Sequence, residues 1–238
     1  MRIAVMSDIH GYNLALETVL RDLDEQGPFD EVVVAGDLCV AGPGPREALD
    51  LLRARDWTVL QGNGDAEVAE AGERGRVSAT VRYVIEQIGP DGVKYLAALP
   101  FSRRITPPGG ESPADDLLVV HANPHNVRDK FRPEMSDREL RQVMGDIAAA
   151  AIAFGHHHIC YTREVDGTLL VDVSAVGNPR DGDLRCKYGV LTWDGETRRW
   201  SAELRKLPYP LAETESQIMS SSLSHREEVL RYLLRASY

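Results

Sequence analysis

The sequence predicts an α/β fold with one β-sheet built early in the chain and a second built late. Two observations carry this expectation. Across the first two-thirds, short β-branched runs alternate with stretches of helical periodicity, the pattern of strand–helix units. Across the last third, strands follow one another around Asp-Gly turn pairs, the pattern of antiparallel hairpins.

The elements follow in order. Residues 3–6 read as a first strand. Residues 14–23 follow with Leu16, Val19, Leu20 and Leu23 at helical spacing, and Asn13 is the expected N-cap. Residues 32–35 form a second strand, residues 45–52 a helix with proline in its first turn, and residues 58–60 a third strand. Residues 65–99 are mainly helical, interrupted at Gly89-Pro90. The Pro-, Gly- and acid-rich residues 106–116 read as a surface loop at the tip of a hairpin, leading into a strand at 117–120. Ser136-Asp-Arg-Glu139 is a capping-box pattern that opens a helix, and residues 152–154 are a short buried strand. Residues 161–165 and 168–173 flank Asp166-Gly167; residues 190–193 and 200–204 flank Asp194-Gly195 with a longer connection. Ser224-His-Arg-Glu227 is a second capping-box pattern, opening a last helix to Arg235.

With 238 residues the chain suits a single domain over 1–238, with residues 208–238 as a C-terminal tail carrying that final helix. No apolar run approaches the ~18 residues of a membrane span, and the first residues look like a strand rather than a signal peptide. The expectation is therefore a cytoplasmic protein without membrane contact. Cys39, Cys160 and Cys186 are too few and too scattered for a disulfide framework or a metal knuckle. A formal net charge of −10 argues against tight binding to long nucleic acid, yet leaves room for a small phosphorylated substrate if cations occupy one cleft. Nothing in the pattern sets an oligomeric state.

In open α/β sheets, ligands bind beyond the carboxyl ends of the strands. After the first predicted strand come Asp8 and His10; after the second, Asp37; after the third, Asn63; after the fourth, His121; after the fifth, His156 and His158. All are donors for divalent metals such as manganese, iron, zinc or nickel, and four of the seven histidines fall at these points. Each piece alone has a plainer reading. Asp8 could cap a turn, Gly62-Asn63-Gly64-Asp65 could be a tight turn, and His121 could be a hydrogen-bonded structural histidine. Their joint order favours a metal site.

Asp8-Ile-His10, Gly36-Asp37, Gly62-Asn63-x-Asp65, His121 and Gly155-His156-x-His158 resemble the ordered motifs of the calcineurin-like metallophosphoesterases. The stretch from Ser174 to Gly182 resembles the small bacterial and archaeal phosphodiesterase branch. The resemblance implies a four-layer αββα sandwich of two stacked sheets flanked by helices. It also implies two divalent ions, manganese foremost: Asp8, His10, Asp37 and His158 around one, and Asp37, Asn63, His121 and His156 around the other. Asp37 would bridge, and His157 would not be a ligand. Hydrolysis of phosphate esters, phosphodiesters above all, by a hydroxide bridging the two ions is the implied activity. The ions would stand about 3.5–4 Å apart.

The chain departs from that pattern at Gly64, where many members carry a histidine that protonates the leaving oxygen. Asp65 then has no histidine to orient. A lost general acid typically costs about 10²–10⁴-fold on poor leaving groups. His125 is the candidate replacement by position, against the plainer reading of a solvent-facing loop histidine. Arg180 is a candidate grip for a substrate phosphate, against a structural ion pair. Two other readings stand beside the phosphodiesterase: a phosphomonoesterase acting on protein or nucleotide, and a non-catalytic metal-binding scaffold.

Overall fold

The computed structural model describes residues 1–72 and 77–237. Two five-stranded mixed sheets stack face to face. The first runs β10-β9-β1-β2-β3 and the second β4-β5-β6-β8-β7. In the first sheet, β1 (Arg2–Met6), β2 (Glu31–Val34) and β3 (Thr58–Val59) are parallel, and the antiparallel pair β9 (Cys186–Asp194) and β10 (Arg199–Leu207) completes the edge beside β1. In the second, β5 (Leu117–Val120), β6 (Ala151–Phe154) and β8 (Thr168–Asp172) are parallel, with β4 (Ser102–Ile105) and β7 (Tyr161–Val165) antiparallel at the edges.

Strand alternation produces the layers. Ile3 and Val5 of β1 and Leu117 and Val119 of β5 point into the space between the sheets, where Trp193 and Trp200 pack with ring centroids 5.6 Å apart. Ala4 and Met6 face the other way, against α1 (Asn13–Gln26) and α2 (Pro45–Arg53). Leu118 and Val120 face α5 (Asp137–Met144), on the opposite outer layer. The result is the αββα sandwich that the resemblance implies.

Most elements lie where sequence periodicity puts them, with informative exceptions. Asn13 is not the cap of α1. Tyr12 occupies that position without a side-chain cap bond, and Asn13 is the first helical residue, buried beneath it. The long helical stretch resolves into α3 (Asn63–Ala69), a 3₁₀ turn at Glu70–Gly72 and α4 (Ala79–Ala97); residues 73–76 of that expectation lie outside the described residues. In α4, Gly89 at φ 68° breaks the helix before Pro90, as read from the sequence. The Ser136 capping box forms, with Ser136 N donating to Glu139 at 2.8 Å and Glu139 N returning to Ser136 at 3.4 Å. The Ser224 box does not. His225 takes the cap position of α7 (Arg226–Arg235) in the left-handed region at φ 59°, which removes the extended geometry a box requires.

The Asp166-Gly167 pair makes a two-residue hairpin turn with φ 50° and 83°. Strand β4 pairs with β5 across residues 106–116, so that loop is indeed a hairpin tip. The sequence reading missed α6 (Leu211–Ser220), whose Ile218 joins Leu223 and Leu233 in the helical core over the first sheet. The three cysteines are free. Among the described residues no helix is long and apolar enough to cross a membrane.

Candidate metal centre

The chain leaves five strand ends in one direction, and at three of them the next residues adopt strained backbone. Asp8, His10, Asp37, His156 and His158 all have φ between 53° and 66°, the left-handed region that disfavours side chains. Such conformations cost about 1–3 kcal/mol each and persist only where surrounding structure enforces them. Here parallel loops do so: Asp8 N donates to Gly36 O at 3.0 Å, His10 N to Asp37 O at 2.9 Å and Gly11 N to Leu38 O at 2.8 Å.

These turns bring the seven predicted donors together in two groups. In the first, His158 Nε2 lies 3.0 Å from Asp8 Oδ1 and 3.1 Å from His10 Nε2. In the second, His121 Nε2 lies 3.0 Å from Asn63 Oδ1 and 3.2 Å from His156 Nδ1. Asp37 stands between them, with Oδ2 3.8 Å from His10 Nε2 and Oδ1 3.7 Å from His121 Nε2. One candidate atom from each of Asp8, His10 and His158 lies within 4.8 Å of the others, and the same holds for Asp37, His121 and His156. Asp8 and His121 are fully buried, and His157 joins neither group.

Each imidazole commits one nitrogen to a backbone carbonyl. His10 Nδ1 donates to Val40, His121 Nδ1 to Ala35, His158 Nδ1 to Asn178 and His156 Nε2 to Arg128, at 2.6–2.9 Å. A carbonyl only accepts, so the proton sits on that nitrogen and the other one turns a lone pair inward. Four lone pairs and the carboxylates of Asp8 and Asp37 then converge in a buried space. That donor set is of the kind that could hold divalent cations.

The electrostatics without cations show the same demand. Burial opposes charge on His10, but the hydrogen bond to Asp8 and the charges of Asp37 and Asp8 prevail and lift its pKa to about 9. Burial would raise the Asp8 carboxyl, but His158 and His10 hold it well below the usual carboxylate range. His156, next to His121, is pushed down to about 4 by burial and by that neighbour's charge.

Small residues make the close approaches possible. A Cβ on Gly155 would sit 2.2 Å from Asp8 Oδ2, and one on Gly62 would sit 2.2 Å from Asp37 Oδ1.

Asp65 has a task that the sequence reading did not give it. Its carboxylate accepts from Asp37 N at 2.8 Å, Leu38 N at 3.0 Å and Gly62 N at 2.9 Å, tying the loop after β2 to the start of α3. Its place at the third position of a helix is the sequence signal for an acid that reaches back to backbone N–H groups. Gly64 N donates to Asp37 Oδ1 at 2.7 Å, so the residue lacking a side chain still positions the Asp37 carboxylate.

Two sequence candidates are held elsewhere. His125 Nε2 donates to the Met144 carbonyl at 3.0 Å, and its ring lies against Gly145 at the end of α5; it makes no hydrogen bond to the seven donors. Arg180 lies beside the centre, its N–H on the His158 carbonyl at 3.0 Å. Its guanidinium serves the C-terminal segment, with Nη1 donating to Ser237 O at 3.0 Å and the cation 5.4 Å from the Tyr232 ring.

Residues 1–196 match the calcineurin-like phosphoesterase superfamily domain. An uncharacterised protein of Methanocaldococcus jannaschii is 24% identical over 244 residues, covering 93% of each chain. Among solved structures, a metallophosphoesterase from Sphaerobacter thermophilus is 24% identical with a TM-score of 0.76, covering 99% of this chain and 100% of its own. A hypothetical protein from Pyrococcus horikoshii reaches a TM-score of 0.82 at 18% identity, covering 99% of this chain and 98% of its own. The two structural likenesses show a shared fold over essentially the whole length. With the superfamily match spanning most of the sequence, the chain belongs to the calcineurin-like phosphoesterase superfamily.

Proposed function

We propose that the chain is a phosphodiesterase acting through a dinuclear divalent metal centre, with manganese the expected ion. Asp8, His10, Asp37 and His158 would hold one ion, and Asp37, Asn63, His121 and His156 the other. The observation that carries this reading is the set of four imidazoles, each with its far nitrogen on a carbonyl and its near nitrogen facing Asp37 or its neighbours. A bound ion pair would supply charge neutralisation and water activation for in-line attack on phosphorus.

The chain's own residues supply the rest. Asp37 offers one oxygen to each group, which sets the spacing of the two halves. Asn63 contributes an amide oxygen without further negative charge, which keeps the pocket attractive to a phosphate. Gly64 brings no acid to the leaving oxygen, so turnover should favour esters whose leaving group departs as a stable anion. The preference for diesters rests on the resemblance of residues 174–182.

The test is a panel of nitrophenyl phosphodiesters, nitrophenyl phosphate and cyclic nucleotides with added Mn²⁺. Faster turnover of the diester supports the proposal. A monoester preference would move the activity to a phosphomonoesterase. Two bound ions with no turnover of any ester would leave the metal-binding scaffold.

A further inference from the structure

Lys187 of β9 is fully buried, although an ammonium seldom leaves water without partners that replace it. Its three protons all have acceptors. Nζ donates to the Asp183 carbonyl at 2.6 Å and the Arg185 carbonyl at 3.0 Å, and stands 3.0 Å from Asp181 Oδ1. These partners lie on the far arm of the loop that joins β8 to β9. The backbone N–H of the same residue reaches the near arm, donating to Ala175 O at 3.1 Å. One residue thus ties the two arms together from inside.

The stretch between those ties rests on half of the metal centre. Val176 N donates to Ser7 O at 3.0 Å, and Gly177 N to Asp8 O at 2.9 Å. The Asn178 carbonyl accepts from His158 Nδ1 at 2.8 Å. Arg180 N and Ser174 Oγ both donate to the His158 carbonyl, each at 3.0 Å. Asn178 is held at φ 56°, a conformation that persists only where its surroundings enforce it. The other half of the centre takes its carbonyls elsewhere, from Ala35 for His121 and from Arg128 for His156.

A buried ion pair adds little net stability over well-packed apolar side chains of similar volume. Its value here is directional. The ammonium requires acceptors at three set places, a demand that an apolar side chain would not make.

We propose that Lys187, with Asp181, is a positioning residue for the group of Asp8, His10 and His158. By fixing both arms of the loop it sets the Asn178 carbonyl, and that carbonyl fixes the tautomer and aim of the His158 ring. Lys187 acts through the loop rather than on an ion. This rests on the dinuclear reading of the centre and names a residue that serves one ion site rather than both.

The test uses the full chain freed of metal. Lys187→Met combined with Asp181→Asn removes the ionic tie without leaving a buried charge unpaired. In calorimetric titration with Mn²⁺ the parent should take up two ions. The double variant should bind one of them about 10–100-fold more weakly and the other as before. A second readout needs no metal. In nitrogen-15 NMR of the histidine rings, the Nδ1 proton of His158 should exchange with water faster in the variant, while that of His121, on the Ala35 carbonyl, keeps its parent rate. Asp181→Asn alone should give the same split at smaller size, and it decides the matter if the double variant does not fold. A split missing from either readout overturns the proposal, whether both halves respond alike or neither does. A parent chain that takes up no Mn²⁺ is a different failure: it removes the metal centre itself, and the role of Lys187 with it.

Discussion

His10 and His158, 148 residues apart in sequence, bring their Nε2 atoms to 3.1 Å from each other. Both rings have their Nδ1 protons on carbonyls, so two lone pairs meet there unless a proton or a cation intervenes. Without metal, the proton sits on His10, with a pKa of about 9 against an ordinary 6.5. Metal uptake must expel it. At pH 7 binding should release close to one proton from this group, and apparent affinity should rise about tenfold per pH unit up to about 9. The stability of the metal-free protein runs the other way. A raised histidine pKa stabilises the fold fully below 6.5, and that contribution is lost as pH rises through about 9. Thermal melts of chelated protein should therefore fall across pH 6.5–9 while metal-loaded melts do not. Parallel curves would remove His10 from the centre.

Asp37 places one carboxylate oxygen toward the ring of a histidine in each group. Asp37→Asn removes the charge but keeps the shape. Hydrolysis should be abolished, and metal content, read by elemental analysis, should drop from two ions to one or fewer. Full activity in this variant would end the bridging assignment.

Asp65 holds the backbone of Asp37 and belongs to neither group of candidate ligands. In Asp65→Asn one amide nitrogen replaces an oxygen that accepts backbone N–H groups, setting donor against donor. The cost should be about 1–3 kcal/mol in unfolding free energy. Metal affinity should weaken about 10–100-fold, the usual effect of disturbing a ligand's support. Denaturant melts and metal titration measure the two effects separately, and wild-type metal affinity would show that the loop needs no such clamp.

Far from the centre, Asp22 on α1 takes both Nε and Nη2 of Arg205, at 2.7 and 2.8 Å, and the Tyr188 hydroxyl at 2.6 Å. The Arg205 bonds hold its carboxyl below the ordinary range, against a smaller opposing effect of burial. A depressed carboxyl stabilises the fold above its unfolded pKa and loses that contribution as pH falls through the folded value. Asp22→Asn should destabilise by about 1–3 kcal/mol at pH 7. The gap should close in acid, below about pH 4. A gap independent of pH would mean that shape rather than charge matters there.

The centre was legible because metal donors are chemically marked residues and the fold gathers strand ends at one edge. Asp8, His10, Asp37, Asn63, His121, His156 and His158 could be read from that rule and the motif order alone. What supports them could not. The carbonyls of Val40, Ala35, Asn178 and Arg128 are backbone, common to every residue, and no sequence pattern announces which will accept an imidazole proton. His125 was plausible by distance along the chain, but the turns built on Asn123 and Asn126 send its ring to α5. Strand β4, reading Ser-Arg-Arg-Ile with three exposed residues, lacks the alternation that marks a half-buried strand, and only pairing with β5 makes it one. The failed cap at Ser224 shows that four matching letters do not fix a backbone conformation.

The strand at the heart of the first sheet, β1, is made long before its antiparallel neighbour β9. Asp8 O waits for Gly177 N, and His158 Nδ1 waits for the Asn178 carbonyl. At ribosomal speeds of about 5–20 residues per second, roughly ten to thirty seconds separate the first donor from the backbone that locks the last. During that interval the nascent chain carries half of a chelating pocket. Cation capture in its final geometry must thus follow the synthesis of Asn178, and slow pairing of distant strands, rather than encounter with the ion, should set its pace.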